Sequence, residues 1–289
     1  MAFWIVTDIG CDLPLTYIEK QEKLTVLPMP YQLDGVPGLN KPGDEETSKE
    51  FYDKLRQGSV STTSQVNVDT YFTTFKELLT KGEEVLCLTL SGGISGSVRS
   101  AFTALEMLRE EMPLAKVRVV DTLCASLGQG LMVDCVIQQR AQGKSLEECA
   151  KWAEDNRQKI IHWFTVDDLN FLFRGGRVSR TSAVMGSMLR IKPVMHVNEE
   201  GKLVLKEKVQ GRKKALKTMA DKMLEFAVPK EGQKVFISHG DCEDEAEYVA
   251  NFVKESRPGT QVFISPVGRL IGSHSGPGTM AIFFLGEQR

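Results

Sequence analysis

The chain has 289 residues, 36 basic and 38 acidic, for a formal net charge of −2. With 42% hydrophobic and 26% charged residues it has the make-up of a globular protein with a large core, which excludes a fibre or a largely disordered chain. The near-zero charge argues against nucleic acid as the main partner, because phosphate neutralisation needs a clear Lys/Arg excess, and no apolar run approaches the roughly 20 residues of a membrane span.

In chain order, residues 3–6 read as a first strand. No positive region precedes them and no small-residue cleavage site follows, so they do not look like a signal peptide, and a cytoplasmic protein is expected. Asp12-Leu13-Pro14 reads as a helix start with proline in the first turn. Residues 24–29 read as a short strand. Apolar or aromatic residues at 68, 71, 72, 75, 78 and 79 have helical spacing, and Lys81-Gly82 supplies a stop. Residues 84–90 form a near-continuous apolar run, as in a strand covered on both faces. A small-residue loop over 91–97 then leads to a helix over 98–111, a strand over 116–120 and a helix over 126–141. Ser145-Leu146-Glu147-Glu148 is a capping box that opens a further helix. Such repeated strand–loop–helix units predict a parallel sheet in an α/β domain.

The second half is less regular. A strand over 159–165 and a short helix over 166–173 end at Gly175-Gly176. Strands over 194–197 and 202–209 flank Asn198-Glu199-Glu200-Gly201 as a hairpin. Helices over 211–226 and 243–255 accompany strands over 234–238, 261–265 and 279–285. A hairpin with helices predicts an α+β second domain, so the chain divides into residues 1–156 and 157–289.

The sharpest local feature is Leu90-Ser91-Gly92-Gly93-Ile94-Ser95-Gly96-Ser97, between a buried strand and a helix. Amides in a helix's first turn lack intrahelical partners and, with the serine hydroxyls, can hold a phosphate or carboxylate; a tight glycine turn with a serine cap is the plainer alternative. The pattern is neither a P-loop nor a nucleophile elbow, since position 97 is serine. Ser61-Thr62-Thr63-Ser64-Gln65 either caps the following helix or adds hydroxyls to the same anion site. Asp8 and Asp121 end strands, where ligands bind in open α/β sheets. Arg174-Gly175-Gly176-Arg177 couples a helix stop to two guanidinium groups, and His274 stands in a glycine-rich stretch, whereas His162 and His196 read as structural. No His or Cys has metal-ligand spacing, so no metal is expected. The six cysteines, at 11, 87, 124, 135, 149 and 242, form no C-x-x-C pair and read mainly as buried thiols, with Cys11 and Cys124 closest to strand ends.

Together these pieces resemble the DegV family of bacterial fatty-acid-binding proteins over essentially the whole chain. The matching elements are Val6-Thr7-Asp8, Asp12-Leu13-Pro14, Thr63-Ser64-Gln65, the 91–97 loop, Val120-Asp121-Thr122 and Ser126-Leu127-Gly128-Gln129-Gly130. The run from Asp168 through Arg177, Ile191-Lys192-Pro193, and Ile271-Gly272 with His274 and Gly276-Pro277-Gly278 complete them. The resemblance implies a two-domain α/β protein with a long-chain fatty acid, such as palmitate or oleate, between the domains. It implies a carboxylate held by Thr63, Ser95 and His274, with Asp8, Ser91, Gly96, Arg174 and Arg177 at the pocket mouth. It further implies no cofactor beyond the lipid, and a carrier that is not itself the catalyst: a separate kinase would convert the presented carboxylate to acyl-phosphate. Ile9 and Gly92 stand where the family usually has serine, and residues 34–44 lack its aromatic-acidic pattern. The Met-rich set Met185, Met188 and Met195 is a candidate pocket wall, with a plain core role as the alternative. A serine-based ester hydrolase and a phosphometabolite-binding module are the alternatives the same loop would serve.

Overall fold

The computed structural model describes residues 3–44, 48–179, 191–229 and 231–289. Strands β1 (Trp4–Asp8) and β2 (Leu24–Leu27) flank a 3-10 turn over Ile9–Cys11 and helix α1 (Leu15–Ile18). β3 (Met29–Leu33), β4 (Val36–Asn40), α2 (Ser48–Arg56) and β5 (Ser61–Thr63) follow. Next come α3 (Val68–Thr80), β6 (Val85–Thr89), α4 (Ser97–Glu111), β7 (Val117–Asp121), α5 (Leu127–Ala141) and α6 (Leu146–Asn156). The remainder comprises β8 (Ile160–Thr165), α7 (Asn170–Arg174), β9 (Ile191–Val197), β10 (Leu203–Gln210), α8 (Arg212–Phe226) and β11 (Lys234–His239). The chain ends with α9 (Glu243–Ser256), β12 (Gln261–Pro266), α10 (Arg269–Ser275) and β13 (Met280–Leu285).

The apolar runs at β1 and β6 pair in parallel, and with β2 and β7 make a four-stranded parallel sheet of order β2-β1-β6-β7. All five residues of β6 are buried, as a strand covered on both faces requires. A small antiparallel sheet of order β4-β3-β5 lies beside it. The third sheet is mixed, in the order β10-β9-β8-β13-β11-β12, and the hairpin at Asn198–Gly201 joins its first two strands.

Side-chain alternation gives the mixed sheet two apolar faces. Ile161, Trp163, Val235, Ile237, Ile282 and Phe284 pack against buried residues of α8 and α9. On the other face, pairing across the strands aligns Ser265, Ser238, Ala281 and Phe164 in one row and Phe263, Phe236, Phe283 and His162 in the next. That face looks towards α5, which is buried over ten consecutive residues, Leu127–Val136. A helix buried on all sides belongs in the middle of a protein, and α5 touches β6 on one side and β8, β11 and β13 on the other. The main core consequently runs without a break from Phe3 to Phe283.

Local signals account for many boundaries. Asn67 caps α3 by accepting from the Thr70 amide at 2.7 Å, and α3 buries Tyr71, Phe75 and Leu78 from one face. The capping box at Ser145 and Glu148 is complete. The expected single strand over 24–29 is instead β2 and the start of β3, in different sheets. His274, expected in a loop, lies in the last turn of α10. All six cysteines are free, and only Cys242 is more than marginally exposed. Burial pushes the Cys124 thiol up to about 11, so its thiolate is disfavoured.

Candidate functional site

A cavity of about 380 Å³ lies on the inner face of the mixed sheet, within the size range of small-molecule sites. Phe164, Phe283, Ala281, Val197 and Leu203 line it from that sheet. Leu172 of α7, Leu270 and Ile271 of α10, and Leu90, Ile94 and Met29 close the other side. Its polar end gathers Thr63, Ser95, Gly96, Arg177 and His274.

Thr63 reaches this end because β5 pairs with β3 and carries it beside α10. Its Oγ1 lies 2.6 Å from His274 Nε2. The other ring nitrogen, Nδ1, is buried and has no partner among the described residues. A Cβ on Gly175 would come within 2.2 Å of Nδ1, so only glycine at 175 lets the backbone pack on this imidazole. Burial, and then the Arg177 charge, push His274 down to about 4, so the ring is neutral at pH 7. With its proton on Nε2 the ring donates to Thr63 Oγ1, and the Thr63 proton is free for a ligand. A proton on Nδ1 would leave a buried donor unmatched and spend the Thr63 proton on the ring.

Ser95 Oγ accepts from the Ser97 amide at 3.2 Å and donates to Ser97 Oγ at 3.0 Å. Turning that proton to an anion exchanges a neutral hydrogen bond for a stronger charge-assisted one. Gly96, the N-cap of the 15-residue α4, offers no side-chain cap. A Cβ on Gly96 would lie 1.8 Å from Gln65 Oε1. Gln65 in turn donates to Ser100 Oγ at 2.7 Å, so the Thr-Ser-Gln segment is locked onto the start of α4. Arg177 is half-buried and donates from Nε to the Ile94 carbonyl at 3.1 Å.

Three residues expected at the mouth do not line the cavity. Asp8 is fully buried; its carboxylate accepts from the amides of Gly10 at 3.1 Å and Leu90 at 2.9 Å, and from Gln129 Nε2 at 3.3 Å. Burial raises it to about 6 against these bonds. Ser91 is also fully buried; it donates to the Gly201 carbonyl at 2.8 Å and accepts from the Gly93 amide at 3.1 Å. Arg174 is exposed and lies over the Phe171 ring at 4.6 Å. The first half of the Ser-Gly loop is likewise occupied by the protein: the Gly92 amide donates to the Asp121 carboxylate, and those of Ile94 and Ser95 donate to the Ser91 carbonyl. Of the loop's residues 91–97, Ile94, Ser95 and Gly96 face the cavity. Met195 is buried in β9 away from the lining, and Met185 and Met188 lie outside the described residues. Sequence reasoning missed Ser126, His162, Ser238 and Thr279 as lining residues.

Among the described residues no cluster of His, Cys, Asp and Glu could hold a metal ion, and no helix is long and apolar enough to cross a membrane.

A parallel sheet and a mixed sheet gripping one buried helix, with an apolar cavity that ends in a hydroxyl–imidazole pair, define a two-sheet α/β protein built around an internal compartment. This chain belongs to the DegV family, whose sequence model, described as one of uncharacterised proteins, matches residues 2–287. A DegV domain-containing protein of Clostridium perfringens is 40% identical over 287 residues, covering 99% of this chain and 98% of the relative. A DegV family protein from Thermus thermophilus, described by its fatty acid binding, superposes with a TM-score of 0.88 at 30% identity, over 99% of this chain and all of that one. A DegV lipid-binding protein from Thermotoga maritima superposes at 0.86 with 29% identity, over 100% of both chains.

Proposed function

We propose that this protein binds a long-chain fatty acid, with the acyl chain along the cavity and the carboxylate at Thr63, Ser95 and His274. The observation that carries this reading is the Thr63–His274 pair at one end of an otherwise mainly apolar compartment. The fatty acid binding described for the Thermus thermophilus relative supports it. Burying about fourteen methylenes at ~0.8 kcal/mol each offers about 11 kcal/mol before the cost of lost ligand freedom. The polar end then serves mainly to orient the head group. Residues 1–156 and 157–289 would act as the two domains flanking the ligand.

The same geometry favours a carrier over a hydrolase. His274 pairs with a threonine, and among the described residues no carboxylate holds its Nδ1, so a Ser–His–acid relay lacks its third member. The carboxylate would be presented to a separate kinase that forms acyl-phosphate with ATP.

Native mass spectrometry of protein purified without added lipid, followed by organic extraction, tests the binding. The expected result is a mass excess of one long-chain fatty acid. Bare protein that takes up neither palmitate nor oleate would overturn the reading. ATP-dependent acyl-phosphate formation that needs both this protein and a kinase tests the carrier role, and formation by this protein alone would refute it.

A further inference from the structure

The cavity carries a second polar group of residues, away from Thr63 and Ser95. Leu270, Ile271 and His274 line it from α10, with Val267 just ahead of the N-cap, and spacings of three and four residues place the three on one helical face. The cavity therefore runs along α10. His274 stands near the C-terminal end of that helix, and Gly268 is its N-cap. The six-residue step from Gly268 to His274 corresponds to about 9 Å of helix axis.

At the Gly268 end, Asp12 Oδ1 accepts from the Gly268 amide at 3.0 Å, while Oδ2 accepts from Ser126 Oγ at 2.6 Å. Ser126 Oγ lies 2.9 Å from Ser238 Oγ, and both serines line the cavity. Ser126 is held at φ 53° and ψ −145°, a backbone region that favours glycine, yet a hydroxyl is kept there.

The protons in this array can be counted. Ser126 spends its only proton on Asp12. The contact between the two serines then needs the proton of Ser238. Ser238 Oγ is left with its lone pairs, fully buried, and no donor to it is present among the described residues. His162, also on the lining, is saturated: Nε2 accepts from the Ala125 amide and Nδ1 donates to the Ile160 carbonyl. Thr279 gives its proton to the Gly276 carbonyl. Within this set the open position, Ser238 Oγ, can accept a proton from a ligand and offers none; Ser275 Oγ, also on the lining, is buried without a partner among the described residues and keeps its own proton.

We propose that the Asp12–Ser126–Ser238 array is a second binding station, and that the cavity takes long-chain carboxylic acids bearing a hydroxyl group along the chain, whose O–H donates to Ser238 Oγ. The inference rests on the fatty-acid reading of the carboxylate end. It names the donor class: a keto group placed against Ser238 Oγ finds no proton there.

The test is displacement of a fluorescent fatty acid from the delipidated full chain. The competitors are stearic acid, hydroxystearic acids substituted at successive mid-chain carbons, and the matching oxostearic acids. At least one hydroxy isomer is expected to compete as well as stearic acid or better, and its oxo counterpart about ten-fold less well, as for a lost buried hydrogen bond. Ser238→Ala is expected to lower the affinity of that isomer relative to stearic acid about ten-fold. Ser126→Gly, which relieves the backbone strain while breaking the relay, is expected to abolish the hydroxy-over-oxo preference. If stearic acid binds and every hydroxy isomer binds far more weakly, or the preference survives Ser238→Ala, the station is refuted alone. If no competitor binds, the fatty-acid reading fails with it.

Discussion

Thr63→Val isolates the head-group interaction. The substitution keeps a β-branched side chain on β5 and removes only the hydroxyl. Two interactions go with it: the proton offered to the carboxylate, and the acceptor for His274 Nε2 at 2.6 Å. A hydrogen bond to a charged group contributes about 1.5–3 kcal/mol, or roughly ten- to 150-fold in Kd at about 1.4 kcal/mol per decade. The acyl-chain contribution, about 11 kcal/mol gross, is untouched. The variant should therefore bind more weakly without losing the ligand altogether. Displacement titrations with a free fatty acid and with its methyl ester separate the two contributions. Losses are expected for the acid, while the ester, which carries no charge, should bind both proteins about equally. Thermal melts of the ligand-free proteins control for folding, since Thr63 is only half-buried on a three-residue strand. Wild-type affinity for the acid, or equal losses for acid and ester, would refute the assignment of Thr63.

Gly175→Ala would place a Cβ 2.2 Å from His274 Nδ1, forcing the ring off Thr63; titration should show a loss comparable with that of His274→Ala, and unchanged affinity would contradict the packing. Ser91→Ala leaves the Gly201 carbonyl and the Gly93 amide without their buried partner. Denaturant melts should show a loss of about 1–3 kcal/mol with fatty-acid affinity retained, whereas weakened binding at full stability would put Ser91 back in the site. Acid should destabilise the fold. Burial pushes His274 and His196 down to about 4 and also lowers His162 and His239. Between pH 6.5 and 4 the unfolded chain then binds more protons, and stability falls with pH. Asp8, raised to about 6, acts in the opposite direction as pH drops below 6, but one carboxyl faces four imidazoles. A urea midpoint that rises from pH 7 to pH 5 would show that the balance runs the other way.

The strands and helices legible in the sequence were those whose pattern and caps agree, such as α3, β6 and α6. α10 was not among them, because Ile271-Gly272-Ser273-His274 reads as a loop. Its helix is imposed by packing: a Cβ on Gly272 would stand 2.5 Å from Tyr52 Oη, and the Tyr52 hydroxyl donates to the Val267 carbonyl at 2.9 Å. β4 and β5 were missed for a related reason. They are short, largely exposed strands, and their pairing with β3 carries no apolar alternation. Asp8 and Ser91 were placed at the correct ends of parallel strands, but strand-end position does not say which groups will claim a side chain. Here the amides and carbonyls of neighbouring loops took both. Thr63 and His274 are 211 residues apart, and nothing local to either announces the other; the family resemblance joined them.

The polar end of the cavity suits transfer better than tight capture. A carboxylate forked onto a buried arginine would gain a strong bidentate pair and would be costly to separate, since removing one partner strands a buried charge. Arg177 does line the cavity, and two of its five N–H groups are spent on the protein, Nε on the Ile94 carbonyl and Nη1 on the Gly175 carbonyl. The groups nearest the proposed head group are a threonine hydroxyl, a serine hydroxyl and a neutral imidazole. The two hydroxyls each offer the head group one proton, the imidazole proton goes to Thr63 Oγ1, and none of the three carries a charge. On this reading affinity comes from the apolar slot, while the head-group contacts fix direction and leave the oxygens nucleophilic. A salt-bridged carboxylate would be a poorer nucleophile towards a phosphoryl group, because its negative charge would already be neutralised. The neutrality of His274, secured by burial and by the nearby Arg177 charge, is thus the feature that most directly suits a carrier whose ligand is to be modified by another protein.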